Sequence, residues 1–123
     1  AALRACQDDT SPTFIWTNLV DFDQDYGHRN DPEGFARALE AFDAALPDLL
    51  DALPDDGVLV ITADHGNDPT TPSTDHSREF VPLLVVRPKS TGRALGLRST
   101  FADHAATVAR YFDVPFQTHG TAF

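Results

Sequence analysis

The 123 residues predict an α/β fold organised around a βαβ unit with two parallel strands. Three features point there: two short apolar runs, 13–20 and 58–63, a helical stripe of apolar residues between them, and turn residues that close each element. Residues 13–20 (TFIWTNLV) follow Ser11-Pro12 and are rich in aromatic and β-branched side chains, as expected of a buried strand. A polar stretch, 21–32, comes next. Phe35, Leu39, Phe42, Leu46, Leu49, Leu50 and Leu53 then fall on one helical face, with Asp31 as N-cap and Pro32 in the first position. Pro47 is expected to kink or split that helix. Pro54-Asp55-Asp56-Gly57 reads as a turn, and 58–63 (VLVITA) as the second buried strand, parallel to the first.

Beyond it, 64–79 is a long polar loop, a length that compact domains usually reserve for function. Residues 81–86 (VPLLVV) read as a third strand, with Pro82 marking an edge or an early ladder position. After a basic loop, 87–96, a last helix is expected over about 101–112. Phe101, Ala105, Val108 and Phe112 share one face, Thr100 caps it and Asp103 lies in its first turn.

Composition narrows the function classes. A chain of this length fits one small domain with a core of its own. Nine Lys+Arg against nineteen Asp+Glu give a formal net charge of -10, which repels a phosphate backbone and argues against nucleic acid as a partner. No apolar run reaches the roughly 20 residues of a membrane span. No secretory leader is apparent, and a lone Cys6 excludes an internal disulfide, so a soluble, cytoplasmic protein is expected. The sequence contains no Met, position 1 included, and opens with what looks like a helix end, Ala1 to Cys6; a piece of a longer chain is therefore expected.

Two polar clusters follow the two predicted parallel strands: Asp21-Phe22-Asp23-Gln24-Asp25-Tyr26-Gly27-His28, and Asp64-His65-Gly66-Asn67-Asp68 with Asp75-His76 further on. Open α/β sheets bind ligands outside the carboxyl ends of parallel strands, so the fold would carry both clusters to one rim. Mixed Asp and His donors suit Mn²⁺, Zn²⁺ or iron, whereas Ca²⁺ wants oxygen alone. A calcium loop at Asp21, Asp23 and Asp25 also fails on position, because Tyr26 stands where the turn glycine belongs and Pro32 where the bidentate Glu belongs. Taken singly, each of these residues is as well explained by a solvated turn or a strand-end cap. Together, three of the five histidines lie beside acids in two segments that the βαβ unit would join. If His76 returns to that rim, the third strand must start there and run antiparallel to the first two.

Four segments, Asn18 to Asp23, Tyr26-Gly27-His28-Arg29, Thr62 to Thr70 and Thr74 to Pro82, closely resemble the phosphopentomutases of the alkaline phosphatase superfamily. The end of the chain, Ser99 to Asp103 and Gly120 to Phe123, is similar as well. Asp64-His65-Gly66-Asn67 is shared with cofactor-independent phosphoglycerate mutases, but the short steps from Asp23 to His28 and from Asp64 to His76 match phosphopentomutase better. The resemblance implies a two-ion centre, usually Mn²⁺, with one ion on Asp23, His28 and His76 and the second on Asp64 and His65. It also implies that the nucleophilic Thr, the N-terminal core and the sugar-phosphate-gripping cap lie outside these residues. The 1–123 segment would then be a single partial domain, the C-terminal part of an alkaline-phosphatase-like core, with no catalytic nucleophile and no turnover by itself. The implied reaction, through a phosphothreonine, interconverts ribose 1-phosphate and ribose 5-phosphate, or their deoxy forms, in nucleotide salvage. The partners implied are a small sugar phosphate and the rest of the same enzyme.

The alternatives are another phosphoryl-transfer enzyme of the superfamily, a phosphatase or a phosphoglycerate mutase, or a non-catalytic metal-binding remnant. Asp21 and Asp25 read as supporting groups, with Asp21 placed to orient a histidine. His104, where the family more often has an apolar residue, and His119 read as packing or surface groups. Arg87, Lys89, Arg93 and Arg98 read as a solvated basic loop, and Trp16 as core.

Overall fold

The computed structural model describes residues 11–123, in two compact units that divide after Ser90. The helix end expected at Ala1 to Cys6 lies outside the described residues.

In the first unit, the strand expected over 13–20 is absent, and with it the parallel βαβ unit. A strand exists only where a ladder satisfies its backbone, and among the described residues β1 (Leu59–Thr62) pairs with β2 (Leu83–Val86) alone. Residues 13–20 thus form no regular element, with Phe14, Trp16, Leu19 and Val20 exposed; Trp16, expected in a core, is 68% accessible. The apolar run reports an appetite for burial, and no partner strand meets it among the described residues.

Within the polar stretch 21–32 the chain then coils into a single π-helical turn, Phe22–Gly27, an element the sequence does not announce. His28 N–H closes it on the Asp23 carbonyl at 2.9 Å, and Asn30, at φ 50°, turns the backbone out of it. Helix α1 (Pro32–Asp51) starts where the sequence predicts: Asp31 Oδ1 accepts the Gly34 N–H at 2.8 Å, with Pro32 in the first turn. It runs through Pro47 unsplit, contrary to one expected outcome. A proline there gives up only the bond to the Asp43 carbonyl. Phe22 meets Phe35 edge to face at 5.4 Å and ties the π-helical turn to α1.

The antiparallel direction expected of the third strand is what β2 adopts against β1, with Leu59 opposite Val86 and Thr62 opposite Leu83. The connecting loop therefore leaves and re-enters the sheet at one edge. An isolated bridge, Gly66 to Ser77, pinches that loop shut near its middle. The core anticipated from chain length is missing: no apolar side chain among the described residues is fully buried, and Leu39 on the α1 stripe is half exposed.

The second unit, Thr91–Phe123, is built on α2 (Ala102–Tyr111). The N-cap position falls to Phe101, which offers no side-chain cap, rather than to Thr100 as expected; the Thr100 hydroxyl still accepts the Ala102 N–H at 3.1 Å from one residue earlier. Asp103 does more than favour the helix dipole. It is buried, its Oδ2 lies 2.9 Å from Arg98 Nε, and its Oδ1 accepts the Thr121 N–H at 2.7 Å. Arg98 thus leaves the solvated basic loop to which the sequence assigned it; its Nη2 also donates to the Thr121 carbonyl at 2.6 Å. Among the described residues, no helix is long and apolar enough to cross a membrane.

Candidate metal centre

Hydrogen bonding in the π-helical turn joins residues five apart, so His28 sits beside Asp23 rather than round the back of the helix. His28 Nε2 lies 3.3 Å from Asp23 Oδ2. The other ring nitrogen, Nδ1, is 2.5 Å from the Thr74 carbonyl, which can only accept. Nδ1 is therefore the donor in that bond, and Nε2 is the ring atom turned toward Asp23.

The loop between the strands supplies the other donors. At its pinch, Ser77 N–H donates to the Gly66 carbonyl at 3.1 Å. A Cβ on Gly66 would fall 2.6 Å from the Ser77 carbonyl oxygen, so the approach requires glycine. Across this antiparallel bridge His65 and His76 are diagonal neighbours on one face, and their rings stack with centroids 3.7 Å apart. His76 is also 4.9 Å from the His28 ring, and its Nε2 lies 3.4 Å from Asp23 Oδ1.

Asp23, His65 and His76 each offer a ligand atom, all within 4.8 Å of one another. His28 is the next neighbour of the same carboxylate, while Asp64 stands at the margin, exposed, with Oδ1 3.7 Å from His65 Nε2. Imidazole nitrogen and carboxylate oxygen gathered this closely suit a borderline transition-metal ion, Mn²⁺, Zn²⁺ or iron, rather than Ca²⁺. The donors remain partly accessible, which leaves room for a substrate to reach them.

Their surroundings separate supporting residues from bystanders. Asn67 Nδ2 donates to Asp23 Oδ1 at 2.6 Å, a contact between segments 44 positions apart in sequence. The sequence marks Asn67 only as part of a polar cluster and assigns it no role. Asp21 and Asp25 are exposed, and the carboxylates beside histidines are Asp23 and Asp64, so the expected orienting role of Asp21 is not seen. Asp68 turns onto Thr70, whose hydroxyl and N–H, at 2.7 and 2.9 Å, hold its carboxyl below the ordinary value. Away from the donors, His104 meets Phe123 edge-on at 6.4 Å and His119 lies exposed near the Thr100 hydroxyl, in keeping with packing and surface roles.

Comparison with known proteins adds a family and a set of relatives. A family model described as the metalloenzyme superfamily matches residues 1–115. Among curated proteins, the chain is 60% identical over 111 residues to the phosphopentomutase of Caldanaerobacter subterraneus subsp. tengcongensis, covering 89% of this chain and 28% of that protein. It is 59% identical over 110 residues to the phosphopentomutase of Dictyoglomus thermophilum, covering 89% and 28%. It is 58% identical over 123 residues to that of Anaeromyxobacter sp. (strain K), covering 100% and 31%. The chain thus spans less than a third of the length of these relatives.

Proposed function

The chain belongs to the metalloenzyme superfamily, and from that membership we propose that its Asp–His cluster is part of the metal centre of a phosphopentomutase. The observation that carries the reading is the meeting of Asp23, His65 and His76 donor atoms within 4.8 Å. These are residues from two distant segments that the sequence had already singled out. Relatives that bear the name phosphopentomutase, at 58–60% identity, support the substrate class.

In this reading Asp23, His28 and His76 hold one Mn²⁺, and Asp64 with His65 belongs to a second ion beside it. The stacking of His65 on His76 supports two adjacent positions rather than two separate sites. Bound divalent ions would overturn the local effect of a -10 chain on an anionic sugar phosphate and make a hydroxyl group a stronger nucleophile. The chain's own contribution is to orient and concentrate donors. Thr74 fixes the His28 ring by its carbonyl, the Gly66–Ser77 bridge holds His65 against His76, and Asp23 supplies the shared negative charge. We assign the phosphate-carrying Thr and the sugar-binding cap to parts of the enzyme beyond these residues, so the 123-residue segment alone is expected to show no turnover.

The test uses the complete native polypeptide that carries this sequence, mixed with Mn²⁺, ribose 1-phosphate and a catalytic trace of a sugar bisphosphate, and followed by phosphorus NMR. Growth of the ribose 5-phosphate resonance without free phosphate is the expected result. Release of free phosphate would instead identify a hydrolase on the same centre and overturn the mutase assignment.

A further inference from the structure

We propose that Asn67, braced against Gly27, is a positioning residue that sets how the Asp23 carboxylate faces the donor cluster; the proposal rests on the metal-centre reading above. An aspartate's last torsion is broad and roughly two-fold, so packing alone leaves the carboxylate plane loosely defined. Here the plane has work for both oxygens: Oδ1 lies 3.4 Å from His76 Nε2, and Oδ2 lies 3.3 Å from His28 Nε2. The Asn67 amide occupies one lone pair of Oδ1 at 2.6 Å, which fixes the torsion and leaves the remaining lone pairs toward the two rings.

A second observation stands independently of that hydrogen bond. Gly27 is buried at the end of the π-helical turn, and a Cβ built there would overlap the Asn67 amide, with Cγ at 2.6 Å and Oδ1 at 2.9 Å. Its backbone gives no reason for glycine, because among the described glycines only Gly96 has a positive φ. The missing side chain at 27 is therefore needed by the approach of Asn67 and not by the turn. One glycine vacates the space, one amide fills it, and the contact ties the π-helical turn to the loop that carries His65 and His76. A hydrogen-bonded partner of a metal-ligating carboxylate typically matters 10–100-fold in metal affinity.

Mn²⁺ uptake by the complete native polypeptide, read from loss of the free-ion EPR signal, tests this without relying on activity. Asp23→Ala and His76→Ala are expected to lose uptake; if both bind like wild type, the metal-centre reading falls and the brace falls with it. Given that control, Asn67→Leu, which keeps the bulk and removes the donor, is expected to weaken binding by about 10–100-fold. Gly27→Ala should do the same, yet cost no more than about twofold when added to Asn67→Ala, since its only effect would then be gone. Wild-type affinity in Asn67→Leu, or a full additional loss in the Gly27→Ala/Asn67→Ala double variant, overturns the brace while leaving the metal centre intact.

Discussion

Replacing Asp103 by Ala should release the C-terminal tail from α2 while leaving the helix formed. Asp103 is the one charged residue buried among the described residues, at 7% accessibility. Its two oxygens are divided between Arg98 Nε at 2.9 Å and the Thr121 N–H at 2.7 Å. The tail has a second tether: the Thr107 hydroxyl donates to the Asp103 carbonyl at 2.7 Å and accepts the Phe123 N–H at 3.0 Å. Removing one member of a buried ion pair costs about 3–5 kcal/mol. The Arg98 side chain is 25% accessible, so water recovers part of its solvation and the lower end, about 3 kcal/mol, is expected. That corresponds to roughly a 100-fold faster amide exchange at Thr121, since each 1.4 kcal/mol or so is tenfold. Asp103→Asn keeps an acceptor for Thr121 but loses the charge, and should fall near tenfold. Hydrogen exchange followed by NMR reads both variants residue by residue. Unchanged protection at Thr121 in Asp103→Ala would refute the tether, and equal loss of protection at Val108 would mean that the unit opens as a whole.

Three further outcomes are expected elsewhere in the molecule. Gly66→Ala would press a Cβ to 2.6 Å from the Ser77 carbonyl oxygen, open the bridge and part His65 from His76; Mn²⁺ affinity by EPR titration should fall at least tenfold, and an unchanged affinity would dissociate the bridge from the centre. Asp31→Ala removes the side-chain cap of α1 and should lower its stability by about 1 kcal/mol, measured as a shift in a urea titration followed by circular dichroism. Thr70→Ala removes the hydroxyl but keeps the backbone N–H, so the Asp68 carboxyl should rise only part of the way toward its ordinary value. Because that group is held low when folded, its contribution is present above the unfolded value and lost as pH falls through the folded one; in the variant an NMR titration of the Asp68 carboxyl should show this step moved to higher pH, and an unmoved step would refute the hydroxyl's part.

The legibility of the fold divides along a physical line. Elements that the chain settles with its own neighbours were readable: α1 begins at the Asp31 cap and Pro32, and α2 lies within a residue of its expected span. The β1–β2 pair was readable too, because a loop that leaves and returns to one edge forces antiparallel strands. The run at 13–20 was misread because its apolar character states a preference for burial, while a strand also needs a partner ladder, which lies nowhere among the described residues. The half-exposed Leu39 on α1 follows the same logic, since helical periodicity marks a face that seeks cover and does not supply the cover.

The candidate site shows the converse, for its residue types were visible while its wiring was not. Carboxylates and imidazoles after two apolar runs drew attention to Asp23, His28, Asp64, His65 and His76 whether or not the first run formed a strand. What assembles them is a π-helical turn and a glycine-mediated bridge, both irregular features without a periodic signature. Asn67 escaped for a sharper reason. Its role exists only because Gly27, 40 positions earlier by number, leaves a space of the right size, and neither residue has meaning alone. The two glycines that flank the histidine-bearing motifs, Gly27 and Gly66, both permit a close approach rather than an unusual torsion. A glycine beside a cluster of potential ligands, with an ordinary φ, is thus a sign that another segment passes close by; here one such approach seats an amide on Asp23 and the other sets His65 against His76.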